Sequence, residues 1–185
     1  MKELIKQLVE TFGPSGNEEV IRAKIADMIK PYVDEVSVDR LGNLIATKHG
    51  KADGKKIMLA AHMDEIGVVI THIDDNGFLR FGTVGGLSPF ILTGQRVQFK
   101  NGTVGVFGHE KLDDIKDLKA DKMYIDIGQP SKEEAAERVS IGDFGSIYRE
   151  MTDLGSCVTA KSLDDRIGCA VLLEAAKRLA ETNNE

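Results

Sequence analysis

An apolar run that breaks off into metal-capable side chains constrains this chain more than any other stretch. Ile57, Met58, Leu59, Ala60 and Ala61 are followed at once by His62, Met63, Asp64 and Glu65. An unbroken apolar run of this length predicts a strand buried on both faces. In open α/β sheets the C-terminal end of such a strand is where ligands bind. Side chains two apart on an extended chain point the same way, which puts Asp64 beside His62. A carboxylate on one ring nitrogen fixes the tautomer and leaves the other nitrogen for a metal. A single histidine at a strand end more often serves structure, so the chemistry needs a second contributor from elsewhere in the chain.

The chain is long enough, at 185 residues with 42% hydrophobic, to bury a substantial core. With 24 basic against 30 acidic residues and a net charge of -6, it lacks the basic surface that nucleic acid requires. The two cysteines, Cys157 and Cys169, are too few for a disulfide scaffold and lack zinc-finger spacing. Cys169 sits in an apolar stretch, where a buried free thiol is expected. No apolar run approaches the ~20 residues of a membrane span. The amphipathic start MKELIKQLVE carries glutamate and is not read as a signal peptide. The expected setting is a reducing cytoplasm, without nucleic-acid or membrane partners.

Leu4, Ile5, Leu8, Val9 and Phe12 share one helical face, and Gly13-Pro14 stops that helix. Ser15 and Glu18 have capping-box spacing for a second helix, whose stripe is Val20, Ile21, Ile25, Met28 and Ile29. Val36 and Val38, a turn at Leu41-Gly42-Asn43, and Leu44–Thr47 read as a strand pair. Beyond Gly67 the character changes to many short strands, with tight turns at Asn76-Gly77 and Asn101-Gly102. Ser131 and Glu134 cap a short helix among them. This pattern predicts a small barrel or sandwich. The expected organisation is an α/β domain over residues 1–67 and 157–185, interrupted by a β-rich domain over 68–156. The last helix, from about Arg166, is apolar over most of its surface and calls for burial on more than one side.

The second contributor is Asp164-Asp165, placed where a strand hands over to that helix. Alone, the pair is explained by helix capping. Set beside His62, it completes an imidazole and carboxylate donor set of the kind zinc, cobalt and manganese accept.

AHMDEIG at 61–67 and SLDDRIG at 162–168 resemble the leading metal motifs of the glutamyl-aminopeptidase or TET family of metallo-aminopeptidases. GPSGNE at 13–18, VDRLGNLIA at 38–46 and YIDIGQPSKEEA at 124–135 extend the resemblance along the whole chain. It implies a metallopeptidase-type α/β sandwich domain with an inserted all-β barrel-like dimerisation module. It implies peptide substrates and two divalent metal ions, zinc or cobalt with manganese as a third option. By position, His62 matches a metal ligand, Asp164 the aspartate bridging both metals, and Asp64 the catalytic carboxylate that orients the histidine. It also implies a cis Asp164–Asp165 peptide bond and homo-oligomers, from dimers up to a dodecamer.

The family pattern continues with a Glu-Glu pair, one residue of which is the general base, then a further acidic ligand and a final histidine. None of these has a counterpart here: Glu133-Glu134 falls on the capped helix, and His49, His72 and His109 lie in the hairpin region or the β-rich part. The α/β domain is therefore expected to be incomplete, and this polypeptide alone to bind metal weakly and lack peptidase activity. A complementary C-terminal fragment or oligomerisation is expected to cover its open faces. Two other readings are a non-catalytic assembly module and a glycoside hydrolase, since some relatives carry an endoglucanase label. The sequence disfavours the hydrolase, because neighbouring carboxylates on a strand point apart. Trp is absent and aromatics are 5%, which leaves little to stack on sugars.

Overall fold

Period-two burial shapes the middle of the chain. In β5 (Arg96–Phe99), Val97 and Phe99 are buried and their neighbours are not. The alternation recurs in β4 (Leu79–Val84), β6 (Val104–His109) and β7 (Met123–Asp126), while β3 (Gly67–Ile73) is interrupted by a register shift between Ile70 and His72 and β8 (Phe144–Ile147) buries the adjacent Gly145 and Ser146. These six strands form a closed antiparallel barrel in the order β3-β4-β7-β6-β5-β8. Closure pairs every strand on both sides and removes the edges an open sheet would expose. Val68, Ile70, Phe81, Val97, Phe107 and Ile125 are central to its core. Phe81 and Phe107 meet edge to face, 5.2 Å between centroids. Both Asn-Gly turns form as expected. At the first, Gly77 has φ +82° and a Cβ there would lie 2.3 Å from the Gln129 carbonyl, so the position requires glycine.

The computed structural model describes residues 1–51 and 53–182. It separates into two compact units. One comprises Pro14–Asn17 and Glu65–Glu150, which holds the barrel; the other comprises Met1–Gly13, Glu18–Asp64 and Met151–Glu185. The barrel unit also carries the one-turn helix α3 (Pro89–Leu92) and the short helix α4 (Lys132–Ala136), which is capped by Ser131, whose hydroxyl accepts the Glu134 N–H.

The other unit is built from helices α1 (Lys2–Val9), α2 (Glu19–Ile29) and α5 (Leu163–Glu181). Two small antiparallel pairs accompany them: β1 (Glu35–Val38) with β2 (Leu44–Thr47), and β9 (Thr152–Asp153) with β10 (Val158–Thr159). Its core gathers Leu8, Ile21, Ile25, Cys169, Ala170 and Leu173. Together the chain has an α/β part and a closed β-barrel part.

Three expectations are corrected. Residues 57–61 are not a buried strand: they take no regular structure, and Ile57, Met58 and Leu59 are 82%, 88% and 57% exposed. A strand exists only through lateral pairing, and among the described residues none pairs with this segment. Helix α5 is buried on one face alone, with Ile167, Val171 and Leu179 exposed. Ser15 does not cap α2. Glu18 occupies that position without a side-chain cap, while the Ser15 N–H donates to the Glu65 carbonyl beside a Pro14–Glu65 bridge.

Candidate metal centre

Although residues 57–61 form no strand, the chain just beyond them alternates. Ala61 and Met63 pack against the α/β core, so His62 and Asp64 face the other way. The carbonyls between them are held from α5. Cys169 Sγ donates to the His62 carbonyl at 3.3 Å, and Arg166 Nε donates to that of Met63 at 3.0 Å. Burial, as the main cause, pushes the Cys169 thiol up to about 11, so it stays a protonated donor.

Asp164 and Asp165 take separate roles. Ser162 is in the left-handed region at φ 58°, the Asp164–Asp165 peptide bond is cis as the resemblance implies, and both aspartates have non-helical backbone. Asp165 Oδ1 accepts the Gly168 N–H at 3.1 Å, the geometry of a helix cap. The carboxylate packs so closely that a Cβ on residue 168 would lie 2.5 Å from its oxygens. With Asp165 turned to the helix, Asp164 is left facing outward, 96% exposed at its side chain.

The two stretches meet at one imidazole. His62 Nδ1 lies 3.0 Å from Asp64 Oδ1, and His62 Nε2 lies 3.1 Å from Asp164 Oδ1, across 102 residues of sequence. A neutral imidazole carries one N–H. If Nδ1–H donates to Asp64, the Nε2 lone pair confronts a second carboxylate. Only a cation resolves that arrangement, either a proton on Nε2 or a metal ion between the nitrogen and Asp164. Burial pulls the His62 imidazolium down, but the Asp164 hydrogen bond and the Asp64 charge outweigh it, and the net shift is upward. The donor set thus fits a divalent metal as far as it goes. Among the described residues no three His, Cys, Asp or Glu side chains converge to hold one.

The sequence pattern of M42 glutamyl aminopeptidases matches residues 42–185. The chain belongs to the M42 glutamyl aminopeptidase family. A candidate aminopeptidase of Acetivibrio thermocellus is 55% identical over 186 residues, covering 100% of this chain and 56% of its own length. The TET aminopeptidase of the marine sediment archaeon Thaumarchaeota archaeon SCGC AB-539-E09 superposes with a TM-score of 0.91 at 36% identity, covering 100% of this chain and 55% of that one. The TET1 peptidase of Pyrococcus horikoshii, described as assembling into a tetrahedron or a large octahedral shell, gives 0.85 at 38% identity, with 98% and 57% covered. A Thermotoga maritima structure named an endoglucanase gives 0.86 at 38% identity, with 94% and 54% covered. The chain therefore spans about half the length of the M42 relatives it matches.

Two of the remaining histidines are engaged locally. His49 lies 3.3 Å from Glu35, and His109 Nδ1 donates to the Glu110 carbonyl at 2.7 Å. An open apolar cavity of about 690 Å³, lined by Ile25, Leu44, Leu59, Leu173 and Ala176, reaches His62 and Asp64. Arg166, which has no role in the motif pattern, is fully buried. Its signal was a charge opening an otherwise apolar helix directly after the aspartate pair. No helix is long and apolar enough to cross a membrane among the described residues.

Proposed function

We propose that this chain supplies part of the active site of a two-metal aminopeptidase that removes N-terminal residues from peptides. His62 is a metal ligand, Asp164 the ligand shared between two ions, and Asp64 the carboxylate that sets the histidine tautomer. The observation that carries this reading is one imidazole held between carboxylates from two distant stretches. Zinc, cobalt and manganese all suit such donors. Bound there, a metal pair would supply an activated water and a polarised scissile carbonyl. His62, Asp64 and Asp164 contribute only the seat and its orientation.

The general base and the remaining ligands would come from polypeptide beyond that described here, either covalently continuous or as a complementary C-terminal fragment. The exposed segment at 57–59 and the apolar cavity beside it support this, since both present surface that water covers poorly. The α/β unit is then the partial catalytic domain. The barrel unit serves homo-oligomerisation, from a dimer up to a dodecamer like the closed shells of TET relatives. The compartment would be the cytoplasm.

Co-expression with the C-terminal part of an M42 relative tests the reading. Cobalt- or zinc-dependent release of N-terminal residues from short peptides is expected, abolished by His62→Ala, while the chain alone has negligible activity. Activity indifferent to His62→Ala would rule it out. A non-catalytic assembly module would instead show no metal binding that depends on His62, alone or assembled. The endoglucanase name of one relative suggests a glycosidase, but Asp64 and Asp164 both face one imidazole. That suits a ligand set better than an acid and a base flanking a sugar bond.

A further inference from the structure

Arg166 is the largest fully buried side chain among the described residues. Its guanidinium donates to backbone carbonyls of two separate stretches. Nη1 donates to Leu8 at 2.7 Å and to Val9 at 3.4 Å, at the C-terminal end of α1, and to Thr11 just past it. Nε donates to Met63 at 3.0 Å. Carbonyls ending a helix lack intrahelical donors and carry the negative end of its dipole, so they suit a cation.

Capping α1 does not explain the residue. Water or a surface lysine satisfies helix-end carbonyls, whereas burying a guanidinium carries a desolvation cost that an apolar side chain of similar size avoids. Capping α1 also gives no reason for the bond to Met63. That carbonyl lies between His62 and Asp64, and Arg166 itself stands two residues after Asp164. One rigid fork of donors therefore ties the stretch bearing the imidazole to the turn bearing the opposing carboxylate. Arginine suits this where lysine does not, because its donors point in fixed directions.

We propose that Arg166 is the positioning residue of the His62–Asp164 pair: its guanidinium sets the distance at which imidazole and carboxylate face each other, and so the affinity of the pair for a divalent cation. The proposal deepens the metal-centre reading and rests on it only for the identity of what the pair holds.

The test uses the whole chain without added metal, then with zinc alone. In the unmodified protein, the Arg166 Nε–H should exchange slowly and show a through-bond NMR coupling to the Met63 carbonyl. Its absence overturns the proposal whatever the variants do. In Arg166→Met, the ¹⁵N signals of the His62 ring should lose the signature of two carboxylate partners, and zinc affinity should fall about 10–100-fold. Arg166→Lys should recover part of both. If Arg166→Met does not fold, Arg166→Lys decides. A folded variant with unchanged ring signals and zinc affinity refutes the assignment. Ring signals that follow Arg166 in a chain that binds no zinc support the positioning role and count against the metal reading instead.

Discussion

The barrel unit and the α/β unit solve the same problem in opposite ways. Six strands that close on themselves leave the barrel's backbone paired and bury Val68, Ile70, Val97, Phe99, Phe107 and Ile125 inside it. The α/β unit buries one face of α5 and leaves Met58, Leu59 and Val171 in solvent. His62, Asp64 and Asp164 lie in this unit, the first two lining its open cavity.

The widest divergence between the two should appear in amide hydrogen exchange. Barrel ladder amides such as those of Ile70 and Phe107 are expected to exchange more slowly than those of residues 57–60 by a factor on the order of 10³ or more. Equal protection would mean that the apolar segment is already paired, for example in an oligomer. Core truncation sharpens the same contrast. Phe107→Ala should cost about 3–5 kcal/mol in a denaturant titration of the barrel, and Leu59→Ala no more than about 0.5 kcal/mol. A large loss at Leu59 would place it in an interface.

The barrel was legible because alternation and Asn-Gly turns are local signals that the fold obeys. Val97 and Phe99 point inward for the reason their spacing gives, and Gly77 turns where only glycine fits. The apolar run at 57–61 misled because hydrophobicity states that a segment needs covering, not what covers it. The aspartate pair could be read only as capping or as ligation; the structure divides the two, with Asp165 on the helix and Asp164 toward His62. Arg166 escaped notice because a charge at a helix start ordinarily faces water. The cis bond after Asp164 was reached through resemblance alone.

That division of labour predicts a smaller effect. Asp165→Ala should cost about 1 kcal/mol through the lost cap to the Gly168 N–H. Asp164→Ala, whose carboxylate is exposed, should leave stability within about 0.5 kcal/mol. Reversal of that order would mean that Asp164 supports the fold instead of the site.

The most direct test of a shared cation seat is a manganese titration of the intact chain followed by paramagnetic NMR broadening. His62 and Asp164 resonances are expected to broaden together at the same manganese concentrations, and His62→Ala is expected to abolish the effect at Asp164 as well. Broadening at one site without the other, or an Asp164 response that survives His62→Ala, would contradict it.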